Sequence, residues 1–239
     1  MLNNILPFCK PFDIIVFHEK DLISFKKNII SGDRVIYKEI EFKLPDYPEE
    51  ILVQIPKFYP HPAHGHEGFT MGYRHMCRFF FSEIFPLLNG YQTYMRLDTD
   101  SYILDPINYD IFDWFNSHEL IYSFIAAAVQ IDNQTVCRGL NDEVFKWLDD
   151  NSLDTEINIL EIPNGKLFYT NFEMCNICWF SNSSKSKNFY KFINETGKIF
   201  SERWGDHILR YLQVSLFCNP AKVQPVVGIH YEHGVIYKT

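Results

Sequence analysis

Asp98-Thr99-Asp100 follows an apolar and aromatic stretch, residues 91–97, that reads as a strand. Side chains two apart on an extended segment point the same way, so both carboxylates could meet one hard cation. The pair falls at the carboxyl end of that strand, which is where open α/β sheets bind their ligands. A divalent metal held there would neutralise a diphosphate leaving group, as sugar transfer from a nucleotide sugar requires. The competing reading is a solvated turn, because a lone D-x-D also arises by chance in an acidic chain.

Other groups carry chemistry less specifically. Glu173, between Phe172 and Met174, is either a surface residue at a strand edge or a buried acid with a raised pKa. His61, His64 and His66 have ligand-like spacing, but they sit in a Pro/Gly-rich loop that reads as exposed. His230 and His233 follow an apolar strand near the end of the chain, and either could join the metal at Asp98 and Asp100. Glu202-Arg203-Trp204-Gly205-Asp206 reads both as a helix start with a packed Trp and as a sugar-binding surface. Cys175 and Cys178 form a C-x-x-C, but a zinc site wants a second such pair and the chain has none.

Positioning these groups requires a sheet with helices around it. Residues 12–17 and 34–42 read as strands, 22–30 as a helix, and 70–88 as a long helix opened by Thr70. A helix at 109–115 precedes an apolar strand at 120–128. Helices near 141–149, 185–195 and 205–216 alternate with strands near 176–181 and 222–227. Such alternation specifies an α/β fold with its sheet covered on both faces. No linker interrupts residues 1–239, so a single domain is expected.

Composition narrows the partners. The net charge of −8, with no basic stripe, argues against nucleic acid. No signal peptide or bilayer-length apolar run is read from the chain. Aromatic residues make up 17% of it, which fits a dense core or a groove that stacks on sugar rings.

Tyr73-Arg74-His75-Met76-Cys77-Arg78-Phe79 and Glu202-Arg203-Trp204-Gly205-Asp206 resemble signature stretches of glycosyltransferase family 15, the fungal Golgi α-1,2-mannosyltransferases. Asn171-Phe172-Glu173 falls between them at close to the family's spacing, and Tyr109-Asp110 resembles the start of the helix after the metal strand. The likeness runs from about residue 8 to 233. It implies a GT-A fold with a mixed central sheet, and retaining transfer of mannose from GDP-mannose to a glycan hydroxyl with Mn²⁺. It further implies Asp98 as metal ligand, with Asp100 beside it, and His233 as the metal-binding His of an Ile-x-Tyr-x-His pattern. Glu173 would be the catalytic acid, as nucleophile or stabiliser, while Tyr73, Arg74 and Arg96 would line the donor site together with Asp98.

The chain also departs from the family. Asp-Thr-Asp stands where members usually read Glu-Pro-x, so donor or metal preference is open. The strand beginning at Phe12 resembles the family's second, so the expectation is that the family's opening strand, its transmembrane anchor and its cysteine-rich carboxyl-terminal extension have no counterpart in these 239 residues. An exposed sheet edge, weak nucleotide affinity and pairing between copies through that edge are the expected consequences. Another nucleotide sugar as donor, or a catalytically weak domain that binds carbohydrate or a partner, are the alternatives to mannose transfer.

Overall fold

The computed structural model describes residues 11–20, 34–59, 69–125 and 130–234. The helix expected at 22–30, and His61, His64 and His66, lie outside the described residues. Two parallel strands come first, β1 (Ile14–His18) and β2 (Val35–Glu39). A single turn, α1 (Glu49–Leu52), precedes the long helical segment. Thr70 caps α2 (Met71–Arg78), its hydroxyl accepting from the Tyr73 N–H at 3.2 Å. A π turn at Phe79–Glu83 then leads into α3 (Ile84–Leu87). Pro86 accounts for this break, because it lacks the N–H that would bond back to Ser82 and its ring crowds that carbonyl.

β3 (Thr93–Leu97) runs into the Asp98–Asp100 turn and the short β4 (Ser101–Ile103). Asp110 caps α4 (Ile111–Ser117) by accepting from the N–H groups of Phe112 and Asp113, and β5 (Tyr122–Ile125) follows. β6 (Gln130–Ile131), α5 (Leu140–Asp150) and β7 (Lys166–Leu167) come next, β6 pairing antiparallel with β7. The chain continues through β8 (Phe172–Asn176), α6 (Ile177–Asn182), α7 (Ser184–Thr196), α8 (Lys198–Ser201) and α9 (Asp206–Phe217). It closes on β9 (Val223–Val226) and β10 (Tyr231–His233).

The strand expected at 176–181 is a correction: those residues form α6, and the strand lies one step earlier. Asn176 caps the helix by accepting from the Trp179 N–H at 3.0 Å. A short continuous apolar run has the same pattern as helix or strand, so periodicity did not separate them.

The central sheet has the order β3-β8-β5-β9, with β8 antiparallel to both neighbours and β9 parallel to β5. It is therefore mixed, as expected. On one face Tyr94, Tyr122 and Cys175 pack with Phe79, Phe85 and Phe180. On the other, Phe172, Met174 and Ile125 meet Ile111 and Phe115 of α4. Cys175 is buried and Cys178 exposed, and both are free thiols. No helix among the described residues is long and apolar enough to cross a membrane.

Candidate active site

At the end of β3 the Asp98 N–H donates to the Asn171 carbonyl at 3.1 Å, and the Ser101 N–H donates to the Asp98 carbonyl at 3.0 Å. Asp98 and Asp100 thus flank a turn rather than share one extended face. β10 pairs antiparallel with β4, setting His233 opposite Ser101, and the Gly234 N–H donates to the Asp100 carbonyl at 3.0 Å. This register brings His233 Nε2 to 3.1 Å from Asp100 Oδ1, with the two side chains 26% and 52% exposed. The Tyr169 hydroxyl lies 3.4 Å from Nδ1, so the other ring nitrogen is held toward Asp100. His230 goes elsewhere, to Asp105 at 3.0 Å.

Asp98 is tied to Arg96 and stays at the cavity rim. Its carboxylate accepts from Arg96 Nε at 2.7 Å and from a terminal Arg96 nitrogen at 3.2 Å. Among the described residues no three His, Cys, Asp or Glu side chains are gathered to hold a metal. The donors reaching solvent are the carboxylates of Asp100 and Asp98 and the His233 imidazole, Asp98 and His233 each being 26% exposed. That set suits a Mn²⁺-like cation whose other positions go to phosphate oxygens and water.

Arg96 is the hub of a buried chain of charges. Beyond Asp98 it donates to Asp206 Oδ2 at 2.6 Å, and its guanidinium lies 3.7 Å from the centre of the Phe80 ring. Asp206 also accepts from the Thr170 hydroxyl at 2.9 Å. Burial opposes the Asp206 charge, but Arg96 and His207 outweigh it and hold the carboxyl well below the usual range. His207 Nε2 lies 2.7 Å from Asp132, which also takes Arg203 at 2.7 Å. Burial likewise opposes ionisation of Asp132, and these two partners again prevail, so its pKa is low. For His207, burial works against the imidazolium, yet Asp132 and Asp206 raise its pKa. Gly205 is required here, since a Cβ would stand 2.2 Å from the His207 ring.

Tyr73 joins the far end of this chain, accepting from Arg203 at 3.2 Å. Burial first, then the neighbouring Cys77, raises its pKa well above the ordinary phenol value. Trp204 is fully buried and donates from Nε1 to the Arg138 carbonyl at 3.2 Å, so it is core and does not stack on a ligand. Arg74 is equally enclosed. It bonds the carbonyls of Phe200, Pro56, Lys57 and Thr70, which uses four of its five N–H donors on backbone. These bonds tie α2 to the Lys198–Ser201 turn and to the loop at residues 56–57.

Of the two readings of Glu173, the buried one holds. It sits opposite Arg96 in the β3–β8 ladder and is 0% exposed. Its oxygens accept from the Tyr94 hydroxyl, from the Tyr122 hydroxyl at 3.1 Å and from Arg210 Nε at 3.3 Å. Burial opposes the Arg210 charge, but Glu173 and Tyr190 reverse that and raise its pKa. Of these partners the sequence pointed to Tyr73, Arg96, Arg203 and Asp206; Asp132, His207, Thr170 and Arg210 carry no local signal.

A cavity of about 1050 Å³ runs along β1 and β3 and reaches Asp98, Thr99 and Asp100. With the sheet order, the strand-end acids and the late histidine in view, comparison with known proteins becomes informative. Residues 16–239 match the family model described as glycolipid 2-alpha-mannosyltransferase. The chain is 31% identical over 181 residues to the glycolipid 2-alpha-mannosyltransferase of Saccharomyces cerevisiae, covering 70% of this chain and 39% of that protein. It is 25% identical over 221 residues to the probable mannosyltransferase MNT3 of Candida albicans, covering 89% of this chain and 58% of the relative. It therefore spans roughly half the length of these relatives. In structure it resembles core-mannan synthase A of Aspergillus fumigatus in its Mn/GDP form, with a TM-score of 0.75, 19% identity and coverage of 92% of this chain and 65% of that one. The mannosyltransferase Ktr4p of S. cerevisiae in complex with GDP gives a TM-score of 0.74 and 21% identity, covering 92% of this chain and 62% of that one. These likenesses establish the GT-A-like fold, and the match over most of the sequence establishes that the chain belongs to the glycolipid 2-alpha-mannosyltransferase family.

Proposed function

We propose that this chain is a metal-dependent mannosyltransferase that moves mannose from GDP-mannose to a glycan hydroxyl with retention of configuration. The observation that carries the reading is the Asp100–His233 pair, solvent-facing at the end of β3 and beside the large cavity. Related proteins crystallised with Mn and GDP, or with GDP, support the choice of ligands. Asp100 and His233 would hold the divalent cation. Bound there, such an ion supplies positive charge against the departing diphosphate.

The chain's own residues orient the remainder. Arg96, fixed between Asp206 and Asp98, sets the direction of the Asp98 carboxylate at the rim. Tyr73 and Arg203 close the other end of the same buried chain of charges. The enclosure of Glu173 supports a positioning part for it: the carboxylate holds Arg210 and two tyrosines under the reacting strand end. That reading favours substitution from the front face over a glycosyl-enzyme formed on Glu173.

Calorimetry of GDP binding with and without Mn²⁺ tests the proposal. Asp100→Ala and His233→Ala should each weaken Mn²⁺-dependent GDP binding by roughly tenfold or more, on the scale of a lost charged ligand. GDP binding that ignores Mn²⁺, or that survives both substitutions unchanged, would place the metal elsewhere. Turnover of GDP-mannose against UDP-sugars then decides the donor.

A further inference from the structure

Asp100 and His233 reach the strand end by different routes. Asp100 follows β3 of the four-stranded sheet, whereas His233 stands on β10, which among the described residues pairs with β4 alone. The ribbon they share is short: Tyr231 pairs with Ile103, Glu232 with Tyr102 and His233 with Ser101. It is closed by the Leu104 N–H on the His230 carbonyl at 2.9 Å and the Gly234 N–H on the Asp100 carbonyl at 3.0 Å. A two-stranded ribbon is marginal by itself in water. Its outer face, with Tyr102 and Glu232, is exposed, so its hold on the body comes through the inner face. Ser101 and Ile103 are buried there.

A short polar contact ties β10 to that inner face, with the Tyr231 and Ser101 hydroxyls 2.7 Å apart. Ser101 has one hydroxyl proton and gives it to the Asn171 carbonyl at 3.3 Å, so Tyr231 is the donor between the two. The same Asn171 carbonyl accepts from the Asp98 N–H at 3.1 Å. A line of hydrogen bonds thus runs from β10 through Ser101 to the backbone that fixes the turn at Asp98, each bond polarising the next. The Tyr231 ring also stands edge-on to Phe172 at 5.4 Å. Tyr231 and His233 are two apart on one strand and share a face, so whatever seats the tyrosine aims the imidazole. The Tyr169 hydroxyl, 3.4 Å from His233, is a longer and weaker contact.

We propose that the Ser101–Tyr231 hydroxyl pair positions the second metal ligand: it latches β10 onto the strand end that bears Asp100, so that His233 faces Asp100 before a cation or nucleotide arrives. Both act through His233 and are positioning residues. Their role rests on Asp100 and His233 being the cation site. A preset pair spares the cost of ordering the ribbon when the ion binds. Loss of the latch therefore weakens the cation's contribution to nucleotide binding and leaves metal-free nucleotide binding as it was.

Amide hydrogen exchange on the metal-free 239-residue chain, with calorimetry of GDP binding in the presence and absence of Mn²⁺, tests it. Tyr231→Phe and Ser101→Ala should each quicken exchange at Leu104 and Gly234 by roughly fivefold, the scale of one hydrogen bond. Each should weaken Mn²⁺-dependent GDP binding by roughly the same factor, with GDP binding in the absence of Mn²⁺ unchanged. The double variant should match the single ones, because all three lose the same bond. Unchanged exchange in both single variants would overturn the latch whatever the metal does. Additive losses in the double variant would overturn it as well, showing two separate effects. So would quickened exchange with wild-type Mn²⁺ dependence in a chain whose His233→Ala variant loses that dependence, since His233 would then be aimed without the latch. If His233→Ala itself keeps the Mn²⁺ dependence, the cation reading fails and the latch falls with it; quickened exchange in that case marks the metal site, and not the ribbon, as the error.

Discussion

Asp100 and Glu173 both lie close to a nitrogen base, His233 at 3.1 Å and Arg210 at 3.3 Å, but the two contacts live in different solvents. The side chains of the first pair are 52% and 26% exposed, and those of the second are each 1% exposed. Water screens the exposed pair and competes with it, so it contributes at most about 1 kcal/mol and can trade its contact for a ligand. No water replaces the buried contact. Removing one partner there strands a charge in the core, at a cost of about 3–5 kcal/mol. Solvent access, more than residue type or motif membership, separates a carboxylate free to act on a ligand from one committed to the fold.

The largest effect that would break this contrast belongs to Glu173. Glu173→Ala should lose about 3–5 kcal/mol of stability by urea unfolding, because Arg210 is left uncompensated. Glu173→Gln, which keeps the shape, tells the two roles apart. A variant with a wild-type unfolding midpoint and turnover reduced roughly a hundredfold would return Glu173 to the chemistry. Asp206→Asn should follow, at about 3 kcal/mol, since it retains the Thr170 contact but leaves Arg96 with Asp98 alone.

A pH series sharpens the comparison further. Asp206 and Asp132 have depressed pKa values in the fold, so their contribution is present above the unfolded carboxylate pKa of about 4 and is lost as pH falls below it. His207 has a raised pKa, so its contribution is complete below about 6.5 and fades as pH rises through the folded value. Stability contributed by the Asp132–His207–Asp206 group should therefore be greatest between about pH 4 and 6.5. Unfolding free energies measured from pH 3 to 9 should show both slopes, and His207→Gln should flatten the upper one. The smallest change in stability belongs to the exposed pair: Asp100→Ala should shift the unfolding free energy by less than about 1 kcal/mol while removing the Mn²⁺ dependence of GDP binding.

Much of the frame was legible because its signals are local. Thr70 and Asp110 stand as caps at the starts of α2 and α4 as their sequence context implies, and apolar residues before Asp98 mark β3. The mixed sheet followed from the family resemblance, carried by Tyr73–Phe79 and Glu202–Asp206. What misled the reading was also local. A four-residue apolar run, Ile177–Phe180, has no period long enough to reveal a helix, and the carboxylates of Asp98 and Asp100 seemed aimed alike only while the strand was imagined to continue through them.

By itself the sequence determined the family, the succession of β1, β2, β3, β5 and β9 and of the longer helices, and the placing of an acid pair at a strand end. The tertiary structure decided which partner each acid meets. His230 and His233 were equivalent until the β10–β4 register sent one to Asp105 and the other to Asp100. Asp98 lost its freedom to Arg96, which Asp206 anchors from the start of a distant helix. Glu173 was enclosed because β8 is an inner strand, covered by Tyr94, Tyr122 and Arg210 from three other elements. Ladder register and the covering of a sheet face join residues far apart in the chain, and no local pattern encodes which of them will meet.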